Sequence, residues 1–223
     1  MRTIYKGELA TRAGRRNAWV DAFFVDHAFF RIWWTNFAAV EPGKLYRSNH
    51  PTPAKLAAFT ARAGLKSLIN LRGQTRNGSD ALSRDMAAKL GLDFYDMALD
   101  SRDAPQPDRI LRLAEIYRTC QVPALIHCKS GADRAGLAAG VYVLLQGGTA
   151  AQAQLQLSWR YLHIKQSKTG ILDGFFAAYA KQAEGKKPFL DWVREDYDAQ
   201  ALKAAHRSGK LAGFVNDLLL RRE

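Results

Sequence analysis

Pro123-Ala124-Leu125-Ile126-His127-Cys128-Lys129-Ser130-Gly131-Ala132-Asp133-Arg134 is the stretch that decides the fold. An apolar strand, Pro123 to Ile126, runs into a polar loop containing a glycine, and an almost wholly apolar helix follows from Gly136 to Leu145. A strand–loop–helix turn built on small residues aims successive backbone N–H groups at one centre. The helix N-terminus adds roughly half a positive charge there. Such a loop is an oxyanion cradle. Lys129, Ser130, Gly131, Ala132, Asp133 and Arg134 are its candidate phosphate-binding residues. Cys128 lies at its floor, where the same field favours the nucleophilic thiolate. Arg134 comes from the first turn of the helix and carries the planar fork that holds two oxygens of one phosphate.

Outward from this loop, strand and helix alternate from about residue 44. Leu45-Tyr46-Arg47 reads as a strand, Pro53 to Ala63 as a helix closed by Gly64, and Leu65 to Leu71 as a strand broken by Arg72-Gly73. A helix from Asp80 to Leu90, a strand around Phe94 and a helix from Pro107 to Thr119 complete the approach to Pro123. This order predicts an α/β fold, a central, mainly parallel sheet flanked by helices. Ligands of such sheets sit at the carboxyl ends of the strands. After the loop the pattern is helical: Thr149 to Leu162, Gly170 to Lys181, then segments around Trp192 and Leu211 toward Leu220. The reading divides the chain into a basic, aromatic N-terminal helical segment (1–43), a catalytic domain (44–184) and a helical C-terminal extension packed on it (185–223).

His127, Cys128, Gly131 and Arg134 together resemble the HCxxGxxR signature of the cysteine-based protein tyrosine and dual-specificity phosphatases. Tyr46-Arg47-Ser48 and Asn70-Leu71-Arg72 resemble the compact bacterial-type and atypical dual-specificity members. The resemblance implies a tyrosine-phosphatase-like fold with extra C-terminal helices, a phosphocysteine intermediate on Cys128, and no metal or other cofactor. Arg134 and the loop amides would then hold the equatorial oxygens as charge spreads onto them. His127 takes a supporting role, orienting the loop. A carboxylic acid must protonate the leaving oxygen and later activate water. In most of the family an aspartate on a mobile loop before the cysteine does this; Asp100, at a strand end, is the first choice and Asp103 the alternative. Asp133 resembles the loop aspartate of myotubularins and broad-specificity secreted bacterial phosphatases, so it is a second candidate acid. The bland readings are turn carboxylates for Asp100 and Asp103, and for Asp133 a side chain turned outward to a base such as Arg102. The sequence leaves Asp100 and Asp133 both open. One departure stands out: Ala135 occupies the place where the family usually has a serine or threonine that assists breakdown of the phosphoenzyme.

Within that class protein phosphotyrosine is the default substrate. The alternative is a phosphoinositide or other phospholipid headgroup. Lys129 favours it, as in phosphoinositide phosphatases, together with Asp133, the net charge of +12 and the aromatic N-terminus. A second alternative is a catalytically dead pseudophosphatase that only binds phosphate. No nucleic-acid-binding motif accompanies the basic charge. At 223 residues, 48% hydrophobic and 24% charged, the chain has ordinary globular composition. Two cysteines, Cys120 and Cys128, make no disulfide framework, which points to a reducing, cytoplasmic compartment. The aromatic run from Trp19 to Phe37 follows basic residues, but Asp21, Asp26, His27 and Arg31 interrupt it, so no spanning helix is expected. Residues 19–37 instead predict a helix whose stripe (Trp19, Phe23, Phe30, Trp34, Phe37) packs on the domain, with peripheral membrane contact as the functional alternative.

Overall fold

β5 (Ala124–His127), buried along its whole length, is the middle strand of a five-stranded sheet. β2 (Leu45–Ser48) and β3 (Ser67–Asn70) pair with it in parallel on either side, and β4 (Asp93–Asp96) continues in parallel beyond β3. β1 (Ala38–Glu41) adds an antiparallel edge beyond β2. The computed structural model describes residues 5, 7–29 and 33–207.

The α/β class is as the alternation of strand and helix predicts. Successive side chains of a strand face opposite ways, and the two faces build separate cores. Leu68 and Leu125 join Leu56, Phe59, Ala87 and Leu92 beneath α2 (Pro53–Ala63) and α3 (Gly78–Lys89). Ile69 and Ile126 face the other way, into the larger core under α4 (Pro107–Thr119), α5 (Asp133–Leu145), α7 (Ile171–Gln182) and α8 (Phe189–Glu195). In register, Ser48, His127 and Asn70 stand side by side at the carboxyl ends of β2, β5 and β3. The next residue after β5 is Cys128, so the sheet delivers it to the level where three strands end.

The C-terminal part packs through Trp192, which has no exposed surface and is ringed by Phe175, Tyr179, Phe189 and Tyr197. Its indole N–H donates to Gln182 Oε1 at 2.8 Å, and the Tyr197 hydroxyl donates to Pro105 O at 2.8 Å. A last helix, α9, spans 199–207. The expected segments around Leu211 and Leu220 lie outside the described residues.

Two expected helices are corrected. Thr149 to Leu162 is not continuous: α6 covers only Ala150–Gln154, and a 3₁₀ turn follows at Trp159–Tyr161. The reason is tertiary. The Gln156 carbonyl is taken by the buried guanidinium of Arg47 at 2.8 Å instead of by a helical N–H. The aromatic N-terminal helix is also shorter than its pattern. α1 covers Arg12–Val20, a π turn covers Asp21–Val25, and the chain leaves helical geometry at His27 (φ 56). Buried Asp21 accepts the Gly78 N–H at 2.6 Å, which anchors this segment to the start of α3. Of the expected stripe, Trp19 and Phe23 are half-buried and stack 5.6 Å apart, and Phe37 stacks on Phe59 and Tyr46. Phe30 lies outside the described residues.

Candidate active site

The loop from Cys128 to Ala132 connects β5 to α5. Cys128 is 1% exposed, and the Gly131 N–H donates to its Sγ at 3.2 Å. Gly131 has φ +75, and a Cβ there would lie 2.6 Å from the Asn49 nitrogen. Only glycine both reaches that backbone region freely and lets the loop lie so close to the end of β2. Ala132, the N-cap of the 13-residue α5, offers no side-chain hydrogen bond to the first amides of the helix.

Neighbouring segments hold the loop from outside. Asn36 donates to Ser130 O and to Tyr161 O, both at 3.0 Å. The His50 N–H donates to Lys129 O at 3.3 Å, and the His50 ring packs edge-on against His127, 4.6 Å between centroids. From beneath, Arg47 donates to Gly131 O at 2.8 Å and Ala132 O at 3.2 Å. Its guanidinium lies 3.7 Å over the Tyr161 ring.

The three candidate acids occupy different surroundings. Asp100 is exposed and lines a cavity of about 330 Å³ with Arg134, Arg72, Arg109 and Gln106. Asp103 faces elsewhere, ion-paired to Lys203 Nζ at 2.6 Å and accepting the Ala104 N–H at 2.8 Å. Those two contacts, Lys203 foremost, hold its carboxyl below the usual range. It lines a separate cavity with Arg102, Lys168, Lys203 and Arg207. Asp133 is turned to His163, 2.8 Å from Oδ1 to Nδ1, rather than to Arg102. The structure thus brings Asp100 and Arg134 into one cavity and separates Asp103 from it.

Three groups escaped sequence reasoning. Arg47 had a faint signal, a charge inside a short apolar strand. His163 had none, because its partners Asp133 and Asp173 come from the starts of two different helices. The third is an ionic knot: Asp26 takes Arg72 through two bonds of 2.7 and 2.8 Å and lies 3.6 Å from Lys129 Nζ. Arg72 also contacts His50 Nδ1 at 3.0 Å. Among the described residues no helix is long and apolar enough to cross a membrane. Among the described residues of the N-terminal segment the exposed aromatics are Trp33 (85%), Phe24 (73%) and Phe29 (56%), none of them in the expected stripe. Among the described residues no group of three or more His, Cys, Asp or Glu side chains is placed to hold a metal ion.

No family model matches the chain. Over 110 residues it is 32% identical to inositol diphosphatase DSP4 of Arabidopsis thaliana, an alignment covering 47% of this chain and 53% of that protein. The chain therefore spans about half the length of the curated relative it matches. Among solved structures, P. aeruginosa TpbA superposes with a TM-score of 0.51 at 20% identity, covering 72% of this chain and 89% of TpbA. PTPMT1 superposes with a TM-score of 0.50 at 12% identity, covering 67% of this chain and 99% of PTPMT1. The chain shares the fold of these two structures, and its loop carries His127, Cys128, Gly131 and Arg134 in the HCxxGxxR spacing.

Proposed function

We propose that this chain hydrolyses phosphomonoesters through a phosphocysteine on Cys128, with Arg134 holding the transferred phosphoryl group and Asp100 as general acid and base. The observation that carries the reading is the shared cavity: Asp100 lines one space with Arg134 from the first turn of α5. In the first step the Cys128 sulfur attacks phosphorus, the S–P bond forms as the bond to the leaving oxygen breaks, and Asp100 gives that oxygen a proton. In the second, Asp100 takes a proton from water, the water oxygen attacks phosphorus, and the P–S bond breaks to release phosphate and thiolate. Lys129, Ser130, Gly131, Ala132 and Asp133 contribute the loop amides, and His127 supports the strand end. Asp133, held by His163, serves the architecture of the loop.

For substrate we favour a phosphomonoester carrying further anionic charge, of the phosphoinositide or phospholipid-headgroup class, over protein phosphotyrosine. Arg109 adds a cation to the cavity beyond the one that Arg134 supplies, while Arg72, which also lines it, is paired with Asp26. The similarity to an inositol diphosphatase supports a substrate bearing more than one phosphate charge. Any membrane contact would run through the exposed aromatics of the N-terminal segment, with the protein otherwise cytoplasmic.

Phosphate release in EDTA tests both levels, with a phosphotyrosine peptide and a phosphoinositide as substrates. Cys128→Ser should abolish turnover on both. Asp100→Asn should lower kcat about 10²- to 10⁴-fold, while Asp103→Asn stays near wild type. Arg109→Ala should raise KM for the phosphoinositide and leave the peptide unaffected. Wild-type turnover in Cys128→Ser or Asp100→Asn would overturn the mechanism, and a strong preference for the peptide would overturn the substrate class.

A further inference from the structure

Arg47 has no exposed surface, sits inside the sheet on β2, and makes hydrogen bonds to uncharged acceptors: Gly131 O, Ala132 O, and Gln156 through both its carbonyl (2.8 Å) and Oε1 (3.0 Å). Burying a guanidinium without a carboxylate partner is strongly unfavourable. A core strand would ordinarily place an aliphatic side chain there. The charge is retained directly beneath the loop that has to hold an anion.

The geometry of a peptide unit shows what this achieves. In a trans peptide the C=O and the following N–H point in opposite directions. Drawing Gly131 O toward the interior therefore aims the Ala132 N–H outward, and drawing Ala132 O inward does the same for the Asp133 N–H. The Ala132 carbonyl is already engaged by the Gly136 N–H at 2.8 Å, within α5, so Arg47 reinforces it. At Gly131, whose φ of +75 lies outside the helix, the guanidinium is what turns the carbonyl. The Ala132 N–H is left with a long contact to Ser130 Oγ, 3.4 Å, which a phosphate oxygen would readily replace.

We infer that Arg47 is a positioning residue for the cysteine loop: its fork orients the two peptide units that face the oxyanion, and its fixed charge supports an anion at Cys128. The inference rests on Cys128 as the nucleophile. Burial lowers the Arg47 guanidinium to about 10, with Tyr161, Cys128 and Tyr117 acting in the opposite direction, so it stays cationic at neutral pH. Charged and titratable groups surround the loop from every element packed on it. They are His127 from β5, His50 after β2, Arg72 with Asp26, Asp100 after β4, Asp133 and Arg134 from α5, Lys129 within the loop, and Tyr161 and His163 from the turn before α7. Unlike these, Arg47 reaches the Gly131 and Ala132 carbonyls from within the sheet.

The test uses the full chain in a Cys120→Ser background, leaving Cys128 as the single thiol. Arg47→Met and Arg47→Lys are compared with the parent by thermal melting, by the pH profile of Cys128 alkylation with iodoacetamide, and by tungstate affinity in calorimetry. Arg47→Met should move the alkylation profile up by about one pH unit and weaken tungstate roughly tenfold or more. Arg47→Lys keeps the charge but not the fork, so its alkylation profile should stay near the parent while tungstate affinity and kcat fall. A folded Arg47→Met with the parent's profile and affinity overturns the inference. Should Arg47→Met fail to fold, Arg47→Lys decides alone: parental tungstate affinity and kcat would overturn it, and a loss at unchanged melting temperature would support it. Alkylation and tungstate binding need no turnover, so they report on Arg47 even if the proposed phosphatase activity fails.

Discussion

His163 bridges two carboxylates: its Nδ1 lies 2.8 Å from Asp133 Oδ1 and its Nε2 lies 2.7 Å from Asp173 Oδ2. The contact ties the first residue of α5, at the edge of the cysteine loop, to the first turn of α7. It also keeps an acidic side chain of the loop facing a cation, where it would otherwise repel a dianionic phosphate. Burial favours the neutral ring, but hydrogen bonds to Asp133 and Asp173 outweigh it and raise the imidazole from 6.5 to about 9. A raised folded-state value means the stabilisation is complete below about 6.5 and is lost as pH climbs through about 9.

Replacing this imidazole should therefore have a pH-dependent effect on stability. His163→Gln removes the cation from a buried ionic group, which costs about 3–5 kcal/mol at pH 6. The deficit should shrink toward pH 10 as the wild-type imidazolium loses its proton. Urea unfolding of both proteins at several pH values measures it. A deficit constant from pH 6 to 10 would show that His163 contributes packing alone.

At the tip of the loop, Gly131→Ala should be poorly tolerated. The left-handed backbone costs a residue with a Cβ about 1–2 kcal/mol, and the added carbon would sit 2.6 Å from the Asn49 nitrogen. The loop should shift to relieve the contact and lose its tungstate site while the rest of the fold survives. Tungstate calorimetry beside a thermal melt separates the two effects. An alanine variant that binds tungstate like wild type would show that this close approach is dispensable.

Trp192→Ala addresses the C-terminal helices. Removing a fully buried indole from its ring of aromatics should destabilise the protein by about 3–5 kcal/mol. Because Trp192 and the active-site strand share one continuous core, circular dichroism and tryptophan fluorescence should report a single transition at lower urea. Two separate transitions would mean that the C-terminal helices unfold independently.

Ala135, fully buried in the first turn of α5, leaves the loop without the hydroxyl that usually assists the departing thiolate. Stopped-flow hydrolysis of p-nitrophenyl phosphate should show a burst of nitrophenol followed by slower turnover, because breakdown of the phosphoenzyme limits the rate. Ala135→Ser should raise the steady rate about tenfold, a gain of about 1.4 kcal/mol in the transition state, and diminish the burst. Wild-type kinetics without a burst would place the slow step before the phosphoenzyme.

How much of this was legible in the chain depended on whether the physics was local. Apolar Ala124 to Ile126, Pro53 at a helix start and Gly64 at its end are local signals, so the α/β alternation and the place of Cys128 at a strand end could be read directly. The resemblance to a phosphatase family rested on four residues of one loop. What the sequence could not decide was which side chains from distant segments meet that loop. Asp100, Asp103 and Asp133 are equally acidic on paper. Tertiary structure gave Lys203 to Asp103, His163 to Asp133, and a cavity shared with Arg134 to Asp100. The helix expected through Leu162 failed for the same reason, because Arg47 on a strand more than a hundred residues earlier takes the Gln156 carbonyl (|i−j| 109). Periodicity and capping act over a few residues and are written in the chain. The pairing of buried charges is set by where the fold excludes water, and only the folded molecule decides that.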